Sequence, residues 1–468
     1  MHSILFTRLT SSSLLRRAKA LSHAAPRLGA MGVVSMTLCA TAVWAGIPIQ
    51  QWTQPSGAQV YLIESHAIPM VDVQIDLDAG ARRDPAAQAG LASVTASATA
   101  YGVRATASDA ALDENGLSDA WTDLGASFGG SASSDRMSFG LRSLTYPDLL
   151  ARAVALAARQ LGEPEYPQAP WERDRQKLIA SIKESNTRPG TVAGRAFAQA
   201  VYGEHPYGRE TTEATLMRIS ARDMRELHGK VFRPCAAKVS IVGAVTRAQA
   251  DTLVTQLLAR LPQGACAAQV PVAEVAPLQA ASEQRIDFAA AQAQVLIGQP
   301  GIARSSPDYL TLLVGNHILG GGGFTARLTE EVREKRGLTY SVYSTFSPGL
   351  HAGAFTMGLQ TRPDQAQQAL DLVREVLARY VADGPTEKEL RAAKDNLIGG
   401  FALRIDSNRK LLDNLSNIAW NRLPLDYLDT WTAQVERITA ADIRAAFARN
   451  LQPQKMATVV LGAKATSP

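Results

Sequence analysis

A stretch near the middle of the chain recurs at its end. Residues from Ile219, ISARDMRELHGKVFRPCAAKVSIVGAV, align with those from Ile438, ITAADIRAAFARNLQPQKMATVVLGAK, at a constant offset of 219 residues and without a gap. Ile219/Ile438, Ala221/Ala440, Asp223/Asp442, Arg225/Arg444, Pro234/Pro453 and Gly243/Gly462 are identical pairs. Each copy reads as a Ser or Thr cap, an amphipathic helix, a Pro-marked break, an apolar strand and a terminal Gly. A chance match would not keep caps and breakers in register. The repeat predicts two copies of one lobe, and 468 residues are enough for two cores.

Composition shifts place the joints. Residues 263–282 are rich in Ala, Gln and Pro, with Pro271 and Pro277, and carry little periodicity. The reading is therefore a first lobe over 46–262, a linker over 263–282 and a second lobe over 283–468. Strand-like AQVYLIES and VDVQIDLDAG open the first lobe, and RIDFAAAQAQVLIGQPG opens the second. Long helical stretches such as LLARAVALAARQL and ALDLVREVLARYV follow in each. Mixed strands and helices without strict alternation predict an α+β fold of two tandem lobes, each a sheet packed with helices.

Residues 1–45 read as a signal peptide. They carry Arg8, Arg16, Arg17, Lys19 and Arg27 but no Asp or Glu, then an apolar run from Met31 to Ala45 with small residues at Ala40, Ala42 and Ala45. The run is too short for a lasting membrane span, and its unbroken apolarity argues against an amphipathic transit peptide. Leu38 before Cys39 argues against a lipid anchor, and Arg16–Arg17 is a weak twin-arginine signal. The expectation is export to the periplasm, with no membrane span after maturation. Losing five basic residues with the leader takes the formal charge from +5 to 0, which removes any basic signal for nucleic acid. Cys235 and Cys266 survive maturation; a disulfide and two buried thiols are both open.

Several chemical motifs fail on their surroundings. Gly125-Ala-Ser127-Phe-Gly129 matches the nucleophile-elbow pattern, but a helical stretch precedes it and a strand-like stretch follows, the reverse of what an elbow needs. Gly320 to Gly323 lacks the Lys-Ser/Thr of a phosphate loop and reads as a flexible loop before a helix. The mature histidines, His66, His205, His228, His317 and His351, are all more than one helical turn apart, so the sequence offers no local zinc pair. In EEVREKRGLTYSVYS, Arg333 reads as lying on a helix that Gly337 ends. Tyr340 reads as lying on the next strand, sharing a face with Leu338 and Val342. The turn between them brings the two side chains within reach.

From these residues the chain resembles the pitrilysin/insulinase family of inverted zinc peptidases, which includes the mitochondrial processing peptidase subunits. GARRDPAAQAGLA resembles the family's lead-in to its zinc helix, His205-Pro-Tyr-Gly208 and the following segment the end of its first lobe, and HILGGGGFTARLTEEVREKRGLTYSVYS its second lobe. The resemblance spans nearly all of the mature chain and implies the processing-peptidase fold. In the family, Gly-Leu-Ala is followed by H-x-x-E-H, which supplies two zinc ligands and the general base. Here Gly90-Leu91-Ala92 is followed by Ser93-Val94-Thr95-Ala96-Ser97. Ser93 and Ser97 thus stand at ligand positions and Ala96 at the base. Registering the family's E-R-x-R pattern on Glu172 to Arg175 puts Ser181 at the third ligand, with Glu184 close by. Arg333 and Tyr340 match the pair that in the family binds the substrate backbone and the tetrahedral oxyanion.

Zinc hydrolysis needs three ligands and a polarised water, so the resemblance implies a subunit inactive alone, without a metal of its own. The first expectation is a non-catalytic subunit of a heterodimeric zinc metalloendopeptidase. It closes a peptide-binding chamber and lends Arg333 and Tyr340 to a zinc-bearing partner, with a peptide or unfolded protein segment as substrate. The alternative is a zinc-free peptide-binding or assembly protein of the respiratory core-subunit kind, with no proteolytic role. A third reading, an active enzyme with another metal arrangement, predicts stoichiometric zinc on the purified chain.

Overall fold

The fold is a computed structural model that describes residues 46–266 and 269–463. The targeting segment read over 1–45 lies outside the described residues. Strands β1 (Gln50–Thr53), β2 (Gln59–Glu64) and β3 (Met70–Leu77) lead into helix α1 (Leu91–Ser97) and helix α2 (Glu114–Asp123). The hairpin β4 (Ser127–Ala132) and β5 (Met137–Leu144) precedes α3 (Pro147–Gly162), α4 (Gln168–Ser185), α5 (Pro189–Tyr202) and α6 (Ala221–Val231). Strand β6 (Lys238–Gly243) and α7 (Arg247–Leu258) complete the first half. The second half holds β7 (Ser282–Ile286), β8 (Ala293–Pro300), β9 (Val342–Phe346), β10 (Ala354–Thr361), α8 (Ala366–Asp383), α9 (Asn408–Asn421), α10 (Ala440–Asn450) and β11 (Ala457–Leu461). Between the halves, the described residues of 263–281 form no helix or strand.

The two sheets share one topology. The first runs β1-β2-β6-β3-β5-β4 and the second β7-β11-β8-β10-β9, so the second repeats the first without β1. In each, the strand of the repeated segment pairs parallel to the opening strand and antiparallel to the next: β6 beside β2 and β3, β11 beside β7 and β8. The repeated helices are built alike too. Ser220 and Thr439 each cap a helix through a reciprocal box with Asp223 and Asp442, which satisfies backbone donors at both helix starts.

The central strands of both sheets are covered on both faces. Val60, Leu62, Val73 and Ile75 turn toward α3 and α7 in one core. Tyr61, Ile63 and Val242, on the other face, pack against Leu412, Leu415 and Ala419 of α9, which belongs to the second half. The second sheet mirrors this: Val459 and Leu461 pack against Ala193, Phe197 and Val201 of α5, which belongs to the first half. Each half thus lends one helix to the other's sheet. Strands covered on both faces read as continuous apolar runs, as VYLI and ATVVL do.

The glycine run at Gly320 to Gly323 differs from the flexible loop expected of it. His317–Gly321 forms a π-helical turn at the end of a helix over Tyr309–Asn316. A Cβ at Gly320 would meet the backbone nitrogen of Ser344 at 2.5 Å, so the glycine lets the helix end approach strand β9. Gly125 to Gly129 connects a helix to a strand, the order expected.

Candidate functional site

Helix α1 starts from Gly90, whose φ of +105° suits only glycine, and from the Asp84 carboxylate, which accepts from the backbone N–H of Gly90 and Ala92 at 2.9 Å each. Burial outweighs those hydrogen bonds and pushes the Asp84 carboxyl up to about 6. Ser93 and Ser97 lie one turn apart on the exposed side of α1. Ser97 Oγ is turned back on its own helix, donating to the Ser93 carbonyl at 3.1 Å. Ala96 is fully buried beneath β4, where a Cβ at Gly130 would fall 2.6 Å from the Ala96 carbonyl. Ser181 is exposed on α4, and α4 shares a small buried cluster with α1 through Trp171, Ile179, Leu91 and Val94. Three hydroxyls and a methyl are a poor donor set for zinc, which takes imidazole, thiolate or carboxylate. Among the described residues, no three His, Cys, Asp or Glu side chains gather where they could hold a metal ion.

Strand β4 is the last strand of its sheet and pairs on one side only, with β5. It runs beside α1, so an open sheet edge borders the serine-bearing helix.

Arg333 and Tyr340 lie in the other half. Arg333 sits in a π-helical turn over Thr329–Glu334, and Gly337, with φ +60°, ends it by donating to the Arg333 carbonyl at 2.9 Å. Tyr340 is not on a strand. It occupies a bend before β9 and is 83% exposed, while Leu338 and Val342 are buried. The Thr339 hydroxyl, donating to the carbonyl of Ser341 or Gln360, fixes a local kink that turns Tyr340 outward and breaks the alternation. The two side chains still meet, with the Arg333 guanidinium 5.9 Å from the centre of the Tyr340 ring. Phe324, 70% exposed just after the glycine run, lies on the same guanidinium at 4.7 Å. Two aromatic faces and Glu334 at 3.3 Å hold a half-exposed cation in place. Phe324 was missed by sequence reasoning, although a large aromatic following four glycines was its signal.

A second cluster was also missed because its members are far apart in sequence. His205, Tyr207 and His351 pack ring to ring, with centroids 4.8–5.8 Å apart. Tyr207 Oη donates to Asp135 Oδ1 at 2.6 Å and accepts from the His351 N–H at 3.2 Å. The second Asp135 oxygen accepts from the Leu350 N–H at 2.8 Å, and Nε of the buried Arg82 lies 3.3 Å from Oδ1. This cluster ties the β4–β5 turn to the loop before β10, across the two halves. Beside it lies a cavity of about 890 Å³. Cys235 and Cys266, whose pairing was open, form a disulfide that fastens the segment after α7 to the turn before β6.

Two paired lobes of one mixed helix-and-sheet topology define the class of fold. The comparisons agree. The Peptidase M16 inactive domain matches residues 218–397. The crystal structure of a peptidase M16 inactive domain from Pseudomonas fluorescens has a TM-score of 0.84 and 32% identity, covering 90% of this chain and 99% of that one. The chain belongs to the M16 peptidase family, the pitrilysin/insulinase family it resembles, as an inactive member. A protein of Helicobacter pylori named non-peptidase homolog YmxG is 26% identical over 387 residues, 81% of this chain and 86% of that protein. An uncharacterized zinc protease of Streptomyces coelicolor is 28% identical over 300 residues, and the chain spans 64% of its length. Its counterpart from Mycobacterium leprae is spanned over 66%.

Proposed function

We propose that this chain is the non-catalytic subunit of a heterodimeric zinc metalloendopeptidase. A partner brings the H-x-x-E-H helix and its zinc. This chain closes a peptide-binding chamber and presents Arg333 and Tyr340 to the partner's metal. The observation that carries the reading is Arg333 itself, a half-exposed cation in contact with the rings of Phe324 and Tyr340. A guanidinium fixed before reaction is what a developing oxyanion needs, since it costs no reorganisation at the transition state. Two large exposed aromatics spent on holding it are hard to explain in a wall element. The free edge of β4 supports an extended peptide or unfolded segment as substrate, bound by strand addition. The Cys235–Cys266 disulfide supports an oxidising compartment, in keeping with export to the periplasm.

The test mixes this chain with a co-encoded relative that carries H-x-x-E-H and follows cleavage of an unstructured peptide. Either chain alone is expected to be nearly inert and the mixture active. Absence of a complex, or activity in the partner that this chain leaves unchanged, sinks the proposal. One observation favours a second reading, an assembly or peptide-binding protein without proteolytic role: the relative aligned over most of the chain is named a non-peptidase homolog. That reading expects a stable partner that also lacks zinc ligands.

A further inference from the structure

The two sheets differ at one edge. In the first, β1 lies antiparallel on β2, with Gln50 opposite Leu62, Gln51 opposite Tyr61, Trp52 opposite Val60 and Thr53 opposite Gln59. Strand β2 begins beside β6 with Gln59 against Lys238, and β7 begins beside β11 with Ser282 against Ala457, the same position in the repeat. Glu283 and Arg285 therefore stand where Val60 and Leu62 take β1. Among the described residues β7 pairs on one side only, with β11.

The backbone of β7 is set to take a strand at that edge. The Ser282 N–H donates to the Met456 carbonyl at 3.3 Å, and the Ile286 carbonyl accepts from the Gly462 N–H at 3.0 Å. Direction alternates along a strand, so Ser282, Gln284 and Ile286 turn their backbone groups to β11, and Glu283 and Arg285 turn theirs outward. Ser282 to Arg285 are all exposed. The opposite edge of the same sheet is engaged by the chain itself, where Asn316 Nδ2 donates to the Ser344 carbonyl of β9 at 3.0 Å.

Charged side chains on an edge strand ordinarily keep other strands away. Glu283 and Arg285 make one exception. They share a face of β7, 2.8 Å apart, and α8 steadies both: Arg374 Nη2 lies 2.9 Å from Glu283, and Gln367 accepts from Arg285. When this strand meets itself antiparallel about Gln284, Glu283 of each copy falls opposite Arg285 of the other. The outward backbone groups of those two residues then face each other as a hydrogen-bonded pair. Registers centred on Glu283 or on Arg285 also align outward groups, but they set like charges directly opposite. We propose that β7 is a self-association edge: two copies of this chain join antiparallel through Ser282–Ile286, centred on Gln284, in the place that β1 takes on the first sheet. The contact is isologous, and the four charges alternate in sign around its two-fold axis. Arg333, Tyr340 and β4 lie outside the paired strands, so the inference does not depend on a zinc-bearing partner.

Sedimentation equilibrium of the full mature chain, from about 1 µM to about 1 mM, reads the association. The wild type is expected to dimerise within that range, and more weakly at high salt, which screens exposed charges. Glu283→Arg sets Arg against Arg across the axis, and Arg285→Glu sets Glu against Glu. Each alone is expected to weaken the dimer at least about tenfold. Mixed in equal amounts the two variants are complementary again, and a dimer with one copy of each is expected to return. Circular dichroism first establishes that both variants are folded. A wild type that stays monomeric, a reversed variant that dimerises as wild type does, or a mixture that stays monomeric overturns the proposal. Amide hydrogen exchange of the wild type needs no variant. The Glu283 and Arg285 N–H groups are expected to exchange more slowly as concentration rises, while the Gln284 N–H, turned to β11, stays unchanged. Exchange at Glu283 and Arg285 that ignores concentration refutes the pairing.

Discussion

Tyr207→Phe removes one oxygen and leaves the ring where it is. The hydroxyl makes two bonds, donating to the Asp135 carboxylate at 2.6 Å and accepting from the His351 N–H at 3.2 Å. The first is short and made to a charged group, a class worth roughly 1.5–3 kcal/mol; the second is long and neutral, roughly 0.5–1.5 kcal/mol. Asp135 keeps the Leu350 N–H and Arg82, so no buried charge is orphaned. The ring contacts with His205 and Tyr202 survive. The expected loss is therefore about 2–4 kcal/mol. Unfolding entropy of about 2 cal/mol/K per residue, over roughly 420 residues melting together, turns this into a fall in Tm of about 2–5 °C. The assay is thermal unfolding followed by near-ultraviolet circular dichroism at neutral pH, with Tyr146→Phe, an exposed tyrosine, as the control. The control is expected to stay within about 0.5 kcal/mol of wild type. If Tyr207→Phe melts with the control, the hydroxyl is not a junction post and the reasoning fails.

Other perturbations probe different parts of the structure. Replacing both Cys235 and Cys266 by Ser opens a loop of 31 residues and is expected to lower stability by roughly 3–4 kcal/mol on the chain-entropy account; denaturant titration of the two proteins checks it. Phe197→Ala, on the helix lent to the second sheet, is expected to cost about 3–5 kcal/mol by leaving a hole against β11, read from the same titration. Burial, with Arg422 adding to it, pulls the Lys238 ammonium down to about 8. A lysine lowered in the fold gains stability as pH rises from that value to the ordinary 10.5 of the unfolded chain, so wild type is expected to gain on Lys238→Met across that window and to hold a constant difference below it. Arg333→Ala in the isolated chain is expected to change stability by less than about 1 kcal/mol, because the guanidinium is half exposed and its ion pair with Glu334 is a surface one.

The fold was legible where the signal was local. The capping residues Ser220 and Thr439, the breakers Pro234 and Pro453 and the glycines Gly243 and Gly462 act within a few residues of themselves, and both copies built the same helix-turn-strand unit. The exchange of α5 and α9 between sheets was not legible. PGTVAGRAFAQAVY is an amphipathic helix whichever core its apolar side enters, and only the tertiary arrangement sends Phe197 to the second sheet. Tyr340 failed for another reason. Alternation predicts a face only while the backbone stays extended, and the Thr339 hydroxyl diverts it before β9 begins. Ser93, Ala96 and Ser97 could be placed by resemblance, yet nothing local showed that Ala96 is sealed beneath β4. The cluster of His205, Tyr207 and His351 joins residues up to 146 positions apart, and no spacing rule reaches that far.

The central claim is a divided active site, so the most direct measurement is kcat/KM of the reconstituted heterodimer with Arg333→Ala in this chain and the partner unchanged. Complex formation by sedimentation is held equal, so that a lost interface cannot mimic lost chemistry. The account expects a fall of about 10²–10³ in kcat/KM, carried mainly by kcat, as for removal of one oxyanion donor. A variant complex as active as wild type would contradict it, and the Arg333–Tyr340 surface would then have no part in the reaction.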